Sequence, residues 1–466
     1  MMNLRSENSP TKMKKILLLS FYVWVNFIGF AQEQFPLHIY GELKTDQRVI
    51  VNDPSQWAWN ENRVTLKVEK KGDNGKFYSE FWVRNFGIPN YATSNDLFNR
   101  GIVDPFDIQI REAYYQINNL FIKNLDLKIG RQRITWGTAD KLNPTDNLNP
   151  SDMEDILDFG RHRGSDAINF TYYIKNDFSL QAVLIPLFQP ANLPVGIFSN
   201  ALMPSFDPPQ NIKINAINTS FNKPNLSFKE NSTLGFKFKG NLKSIDFSFS
   251  YVYGFDGIPY LTKTTVTPEI YPYGIKIDAE LSYARNHIFG VDFASNIKGV
   301  GVWGELALFK LSDDLIYTSI VNPLIPISDP TVTDSIILTK EKPYFRSIIG
   351  ADYHFGKGSY INIQYMHGFI HERGNEHMSD YLFLRYDQRL LDDKITLSPI
   401  SGAFIITNWS KAKDNFCLIY SPQIAYNPTP DFQLALSTAI IYGKGDGVFT
   451  SLQDFDQIIL KAIYSF

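Results

Sequence analysis

The residues in this chain best suited to chemistry lie between 130 and 163. The segment begins GRQRITWGTADKLNPTDNLNP, and it places Arg131, Gln132, Arg133 and Trp136 just ahead of a loop rich in acids. Asp140, Asp146, Asp152, Glu154, Asp155 and Asp158 follow, and Arg161 and Arg163 close the run. Arginine presents a planar fork that grips carboxylates and phosphates through two parallel hydrogen bonds. Acids set opposite arginines across a narrow passage create a field that sorts solutes by charge. The acids are not spaced as an EF-hand loop, so oxygen-ligated calcium is not indicated.

Catalytic alternatives are weak. HERGNEH at 371–377 places its histidines six apart, where a zinc helix needs four, and reads as a surface loop. GKGDG at 443–447 lacks the Ser or Thr of a phosphate loop, and no G-x-S-x-G elbow occurs. Cys417 is the single cysteine, which excludes a disulfide framework and a cysteine zinc site. No enzyme and no cofactor are expected. A net charge of −3 offers no basic field for nucleic acid.

The elements that position these residues are strands. In DQIILKAIYSF, Ile458, Leu460, Ala462, Tyr464 and Phe466 share one face, while Gln457, Lys461 and Ser465 share the other. NRVTLKVEK, AINFTYYIK and SIDFSFSY alternate in the same way. Aromatics make up 15% of the chain, with 36 Phe and 25 Tyr, yet nothing beyond the N-terminus is apolar enough for a membrane helix. That combination fits strands with lipid on one face and water on the other.

Counting alternation predicts eighteen strands (16–18 allowing for ends), from 35–43 to 454–466. Their connections alternate between short turns and long loops, the longest at 187–230, 255–284 and 311–343. The expected fold class is therefore all-β, a transmembrane antiparallel barrel with short periplasmic turns and long extracellular loops. A soluble sandwich would need a second sheet to cover the aromatic faces and does not account for the loop asymmetry. Lys12, Lys14 and Lys15 ahead of the apolar run Ile16–Phe30 read as a secretory signal over 1–31, with a single barrel domain over 32–466.

With apolar residues toward lipid, the opposite parity lines the lumen: Tyr78, Glu80, Trp82 and Arg84, Trp303 and Glu305, then Arg346, Asp352 and His354, and Arg385, Asp387 and Arg389. Parity falters at Arg111 and Glu112 in DIQIREAYYQI and again at DLKIGRQRITW. A bulge re-aims side chains at such breaks, and one near Gly130 would turn Arg131, Arg133 or both inward. The 135–165 loop is then the candidate constriction.

REAYYQI, LDLKIGRQRITWG, an Asn-Pro-rich loop and LQAVLIPLFQPANLP together resemble a family of Gram-negative outer-membrane barrels, similar in pattern to alginate-export and other substrate-selective porins. The resemblance covers 107–195, and GRQ-x3-WG is its most specific piece. It implies a channel and makes Glu112, Arg131, Gln132, Trp136 and Gly137 part of a recurring core. Some relatives handle polysaccharides and others are linked to hydrophobic compounds.

The expected protein is an outer-membrane channel for polar solutes or oligosaccharides, by passive or selective passage. Its surroundings would be outer-membrane lipid and lipopolysaccharide, with room for a homo-oligomeric or surface partner. The competing readings are a barrel that anchors a surface assembly and a transporter of hydrophobic compounds.

Overall fold

The computed structural model describes residues 37–52, 56–89, 91–158, 160–175, 177–201, 212–324 and 331–466. The signal read at 1–31 lies outside the described residues. Eighteen antiparallel strands close on themselves. In chain order they are β1 (Leu37–Ile50), β2 (Trp57–Gly72), β3 (Gly75–Phe86), β4 (Phe106–Ile117), β5 (Leu125–Gln132), β6 (Ser165–Ile174), β7 (Phe178–Ile185), β8 (Thr233–Leu242) and β9 (Ile245–Phe255). The circuit continues through β10 (Arg285–Ile297), β11 (Val300–Leu311), β12 (Tyr344–Phe355), β13 (Ser359–His367), β14 (Asp380–Leu390), β15 (Ile395–Ile406), β16 (Phe416–Tyr420 with Gln423–Thr429), β17 (Phe432–Lys444) and β18 (Gln457–Ser465). The ladder of β1 with β18, from Glu42↔Ser465 to Ile50↔Gln457, completes the ring. Closure pairs the first strand with the last and so removes the two terminal edges that an open sheet would present.

Alternation puts the apolar side chains outside. Phe236, Phe249, Phe289, Leu306, Phe345, Ile349, Leu436 and Leu460 are all exposed on the wall strands. So large an apolar surface is stable against hydrocarbon and costly against water. At one edge the hairpins are tight: between β10 and β11, Lys298 (φ 54°) and Gly299 (φ 89°) both sit in the left-handed region that matches the twist of flanking strands. β16 is split because Pro422 cannot donate to a ladder, although β15 and β17 pair with both halves.

The long connections are more ordered than their composition suggests. Ile214–Asn222, Tyr260–Ile270, Tyr273–Ser282, Leu315–Val321 and Val332–Thr339 form a second, five-stranded sheet. Its two parallel pairings, starting at Lys263↔Thr318 and Ile275↔Ile214, join segments from different connections. Sequence alternation assigns these spans to loops. TKTTVTPEI carries no consistent apolar face, whereas in YGIKIDAELS Ile275, Ile277, Ala279 and Leu281 alternate with Lys276, Asp278, Glu280 and Ser282, a period-two signal that the division into wall strands and loops passed over.

The lumen is filled at one level by two apolar clusters. One gathers Trp59, Ile156, Phe198, Ile348, Met366, Phe369, Tyr381, Ile405, Ile419 and Phe449. The other gathers Ile134, Trp136, Leu148, Val183, Val252, Ile288, Phe309 and Tyr344. Ile156 and Leu148 belong to the segment after β5, so that segment packs against the inside of the wall. Each such burial contributes roughly 1.5–3 kcal/mol.

Candidate functional site

The chain leaves β5 after Gln132, turns into the lumen and returns at Ser165 to start β6. Its tip is fixed by Glu305 on β11. That carboxylate accepts hydrogen bonds from Thr138 N (2.6 Å), Ala139 N (2.7 Å), Asn143 Nδ2 (2.8 Å), Thr145 Oγ1 (2.8 Å) and Thr145 N (3.2 Å). Gly137 makes the approach feasible: its φ is +93°, and a Cβ there would lie 2.6 Å from Glu305 Oε1. Trp136 beside it is almost fully buried and donates from Nε1 to Gln181 (2.9 Å). The Trp-Gly pair is thus an anchor followed by room for a carboxylate. Farther along the wall, Asn362 Nδ2 on β13 donates to Asp140 (2.8 Å).

On the opposite wall the loop acids meet arginines directly. Arg48 on β1 binds Asp155 (2.5 and 2.9 Å), Arg84 on β3 binds Glu154 (2.9 and 3.0 Å), and Arg111 on β4 binds Asp152 (2.9 Å). Arg161 joins Asp152 and Glu154 at 2.9 and 3.2 Å. At the loop base Arg133 binds Asp146 (2.5 Å) and Asn149 Oδ1 (2.8 Å), while Ile134 N donates to the same Asn149 oxygen (2.8 Å). Trp82 stacks beneath Arg111 and Arg63, 3.9 and 4.0 Å from its ring centre. Burial alone would raise the Asp152 carboxyl, but Arg161 and Arg111 outweigh it and hold the group below the usual carboxylate range. These charges are in contact and largely neutralise one another. They hold the loop across the lumen, and they do not form two separated walls.

Of the two parity breaks, the one at Arg111 and Glu112 is a bulge and the one near Gly130 is not. β3 and β4 shift register between Glu80↔Glu112 and Phe81↔Ile110, so Arg111 is the extra residue and both Arg111 and Glu112 serve the inner side. Glu112 accepts from Arg133 N at 2.8 Å. β5 itself pairs without interruption with β4 and β6. Arg131 therefore stays on the face of the exposed Ile129, where it forms an ion pair with Asp166 at 2.8 and 2.9 Å. Arg133, beyond the strand end, turns inward. Gly130 (φ +119°) accommodates the close backbone of Ala113 and introduces no bulge.

The other sequence-derived residues separate by position. Gln132 is fully buried and caps the carbonyls of Lys128, Gly130 and Ala167. Arg163 donates to the Pro190 carbonyl. Arg385 and Asp387 pair with each other on β14 at 2.9 Å, outside the bonding network of the loop. Arg346 projects from β12 into the filled level and donates to the Glu372 carbonyl (2.6 Å). HERGNEH, expected on the surface, has Glu372 buried and Arg373 bound to Asp256 at 2.9 Å. Arg48 and Glu305 carry the anchoring, and position alone did not single them out, since their partners lie more than a hundred residues away.

Where β5 ends, the wall thins. Residues 106–112 of β4 pair with β3 but have no ladder partner on their other edge among the described residues. A cleft of about 660 Å³ opens there, lined by Ile108, Ile110, Arg131, Gln189, Leu193 and Val195. Among the described residues, no group of three or more His, Cys, Asp or Glu is arranged to hold a metal.

Since Arg131 is paired on the outer face, Arg131→Ala is expected to leave the reversal potential across a planar bilayer in a salt gradient unchanged. Arg133→Ala, by freeing the Asp146 charge, is expected to shift it toward cation preference.

The sequence model of a family described as "Protein of unknown function (DUF1302)" matches residues 58–373. No curated protein matches the chain in sequence. Solved structures with similarity include Salmonella typhi OmpF in complex with daunomycin, at 10% identity and TM-score 0.40, covering 92% of this chain and 97% of that one. Pseudomonas aeruginosa OccK9 (OpdG) is similar at 10% identity and TM-score 0.48, covering 93% and 98%. A triple mutant of Rhodopseudomonas blastica porin is similar at 8% identity and TM-score 0.39, covering 92% and 100%.

Proposed function

The chain belongs to this family of unknown function (DUF1302), and from that premise we propose that it is an outer-membrane channel for selected solutes, narrowed by its inward-folded 135–165 segment. The observation that carries the reading is the attachment of this segment to the wall on opposite sides. Glu305 and Asn362 hold it on one side and Arg48, Arg84 and Arg111 on the other. A loop fixed in this way leaves narrow, chemically specific routes in place of a wide aqueous pore. Its surroundings are outer-membrane lipid and lipopolysaccharide, which the exposed apolar wall suits.

The purified protein in planar bilayers is expected to show small, stable currents. A silent wild type combined with a silent loop-released variant would sink the channel reading and favour a scaffold. A second reading, passage of apolar compounds sideways into lipid, is favoured by the unpaired edge of β4 and the cleft beside it. Cross-linking that edge to the 189–195 segment is expected to block apolar uptake while sparing ion current if the sideways route operates.

A further inference from the structure

Arg346 is a buried arginine in the lumen with no carboxylate partner among the described residues. It is 5% exposed, no carboxylate of the described residues lies within 4 Å of it, and its Nε has no hydrogen-bond partner. Its Nη2 donates to a backbone carbonyl, and its guanidinium lies 4.4 Å from the Phe309 ring centre. A buried cation with unused donors is costly unless an anion completes it.

The neighbouring acids are all committed elsewhere. Asp146 binds Arg133, Asp152 binds Arg111 and Arg161, Asp155 binds Arg48, and Asp256 binds Arg373. Glu372 directs its carboxylate to Phe369 N (2.7 Å), Ser379 N (3.0 Å) and Tyr381 Oη (2.9 Å). His162 and His371, each pushed down to about 4 chiefly by burial, are neutral at neutral pH. Arg346 is the charge left over.

Arg346 also borders two cavities, of about 80 and about 70 Å³, which share Asp146, Asn147, Ser151 and Ile370 in their linings. The first adds Met366 and Phe369, and the second adds Ile258, Ile288 and Phe309. Each is about half the volume of an apolar cavity that accepts a benzene ring, about 150 Å³, so a ring-sized body fits only by displacing the side chains between them. We propose that this is a binding site for a small organic carboxylate with an apolar body, its carboxylate on Arg346 and its body against the Met366, Phe369 and Ile288 side chains. This deepens the channel reading by naming the solute class, and it rests on that reading for the route of entry.

The test is calorimetry on the full-length protein in detergent, with benzoate as probe and benzamide as its neutral isostere. Benzoate is expected to bind at least about tenfold more tightly than benzamide, because only the anion forms charge-assisted bonds to the guanidinium. Arg346→Met is expected to abolish that preference, and Arg346→Lys to retain part of it. Equal binding of the two probes to the wild type, or benzoate binding unchanged in a folded Arg346→Met protein, overturns the proposal. The probe comparison needs no variant, so misfolding of a substitution does not shield the idea. Bilayer current is measured separately, which keeps a failed channel reading distinct from a failed binding site.

Discussion

Glu305→Ala is expected to raise single-channel conductance severalfold, because it releases the tip of the segment that crosses the lumen. The substitution strands the amides of Thr138, Ala139 and Thr145, the Thr145 hydroxyl and the Asn143 amide, which share one carboxylate. Hydrogen bonds to a charged group are worth about 1.5–3 kcal/mol each. Water entering the vacated space would satisfy some of these donors, so the loss is smaller than their sum. Even one such bond is comparable to the burial of one side chain that holds the loop. Glu305→Gln, which offers a single acceptor oxygen, is expected to fall between wild type and alanine. Conductance identical in all three proteins would show that the arginine side holds the loop unaided, and Glu305 would lose its place as the latch.

The second large effect is expected at Arg48. This arginine lies 1% exposed between Asp46 and Asp155, and Arg48→Met leaves both carboxylates buried without it. Breaking a buried pair from one side costs about 3–5 kcal/mol. Thermal unfolding of the barrel, followed by heat-modifiable gel mobility, should therefore shift to clearly lower temperature. Asp155→Asn added to Arg48→Met is expected to recover part of the loss by removing one stranded charge. No recovery would mean that the pair does not couple loop to wall.

The same pair sets a pH dependence. Burial alone would raise the Asp155 carboxyl, but the Arg48 charge and hydrogen bonds hold it well below its ordinary value of 3.8. The stabilisation is therefore fully present above that ordinary value and declines as the pH falls below it toward the depressed one. Acid should loosen the loop in the wild type, and Asp155→Asn should flatten this response.

Much of the wall is legible in the sequence. Alternation such as Ile458, Leu460 and Tyr464 against Gln457 and Lys461 is a local property, set by which solvent each face of a strand meets. The count of eighteen follows from it, as does the inward side of Glu305, Arg346 and Arg84. The five-stranded sheet does not: Tyr273–Ser282 alternates, but its strands find parallel partners in other connections, which no local pattern shows. The faltering parity around Arg111 does signal a bulge, but the second break, at Gly130, has another cause: its backbone approaches Ala113, and the ladder continues.

The sequence by itself determined which face of each wall strand is apolar and which polar, because that is set residue by residue. It also marked the 130–163 stretch as chemically unusual. Only the tertiary structure decided what the stretch does. It paired Asp155 with Arg48 and Glu154 with Arg84, kept Arg131 outside with Asp166, and left Arg346 unmatched beside two cavities. Charge pairing across so many intervening residues depends on the register and closure of the whole barrel. No local pattern encodes it.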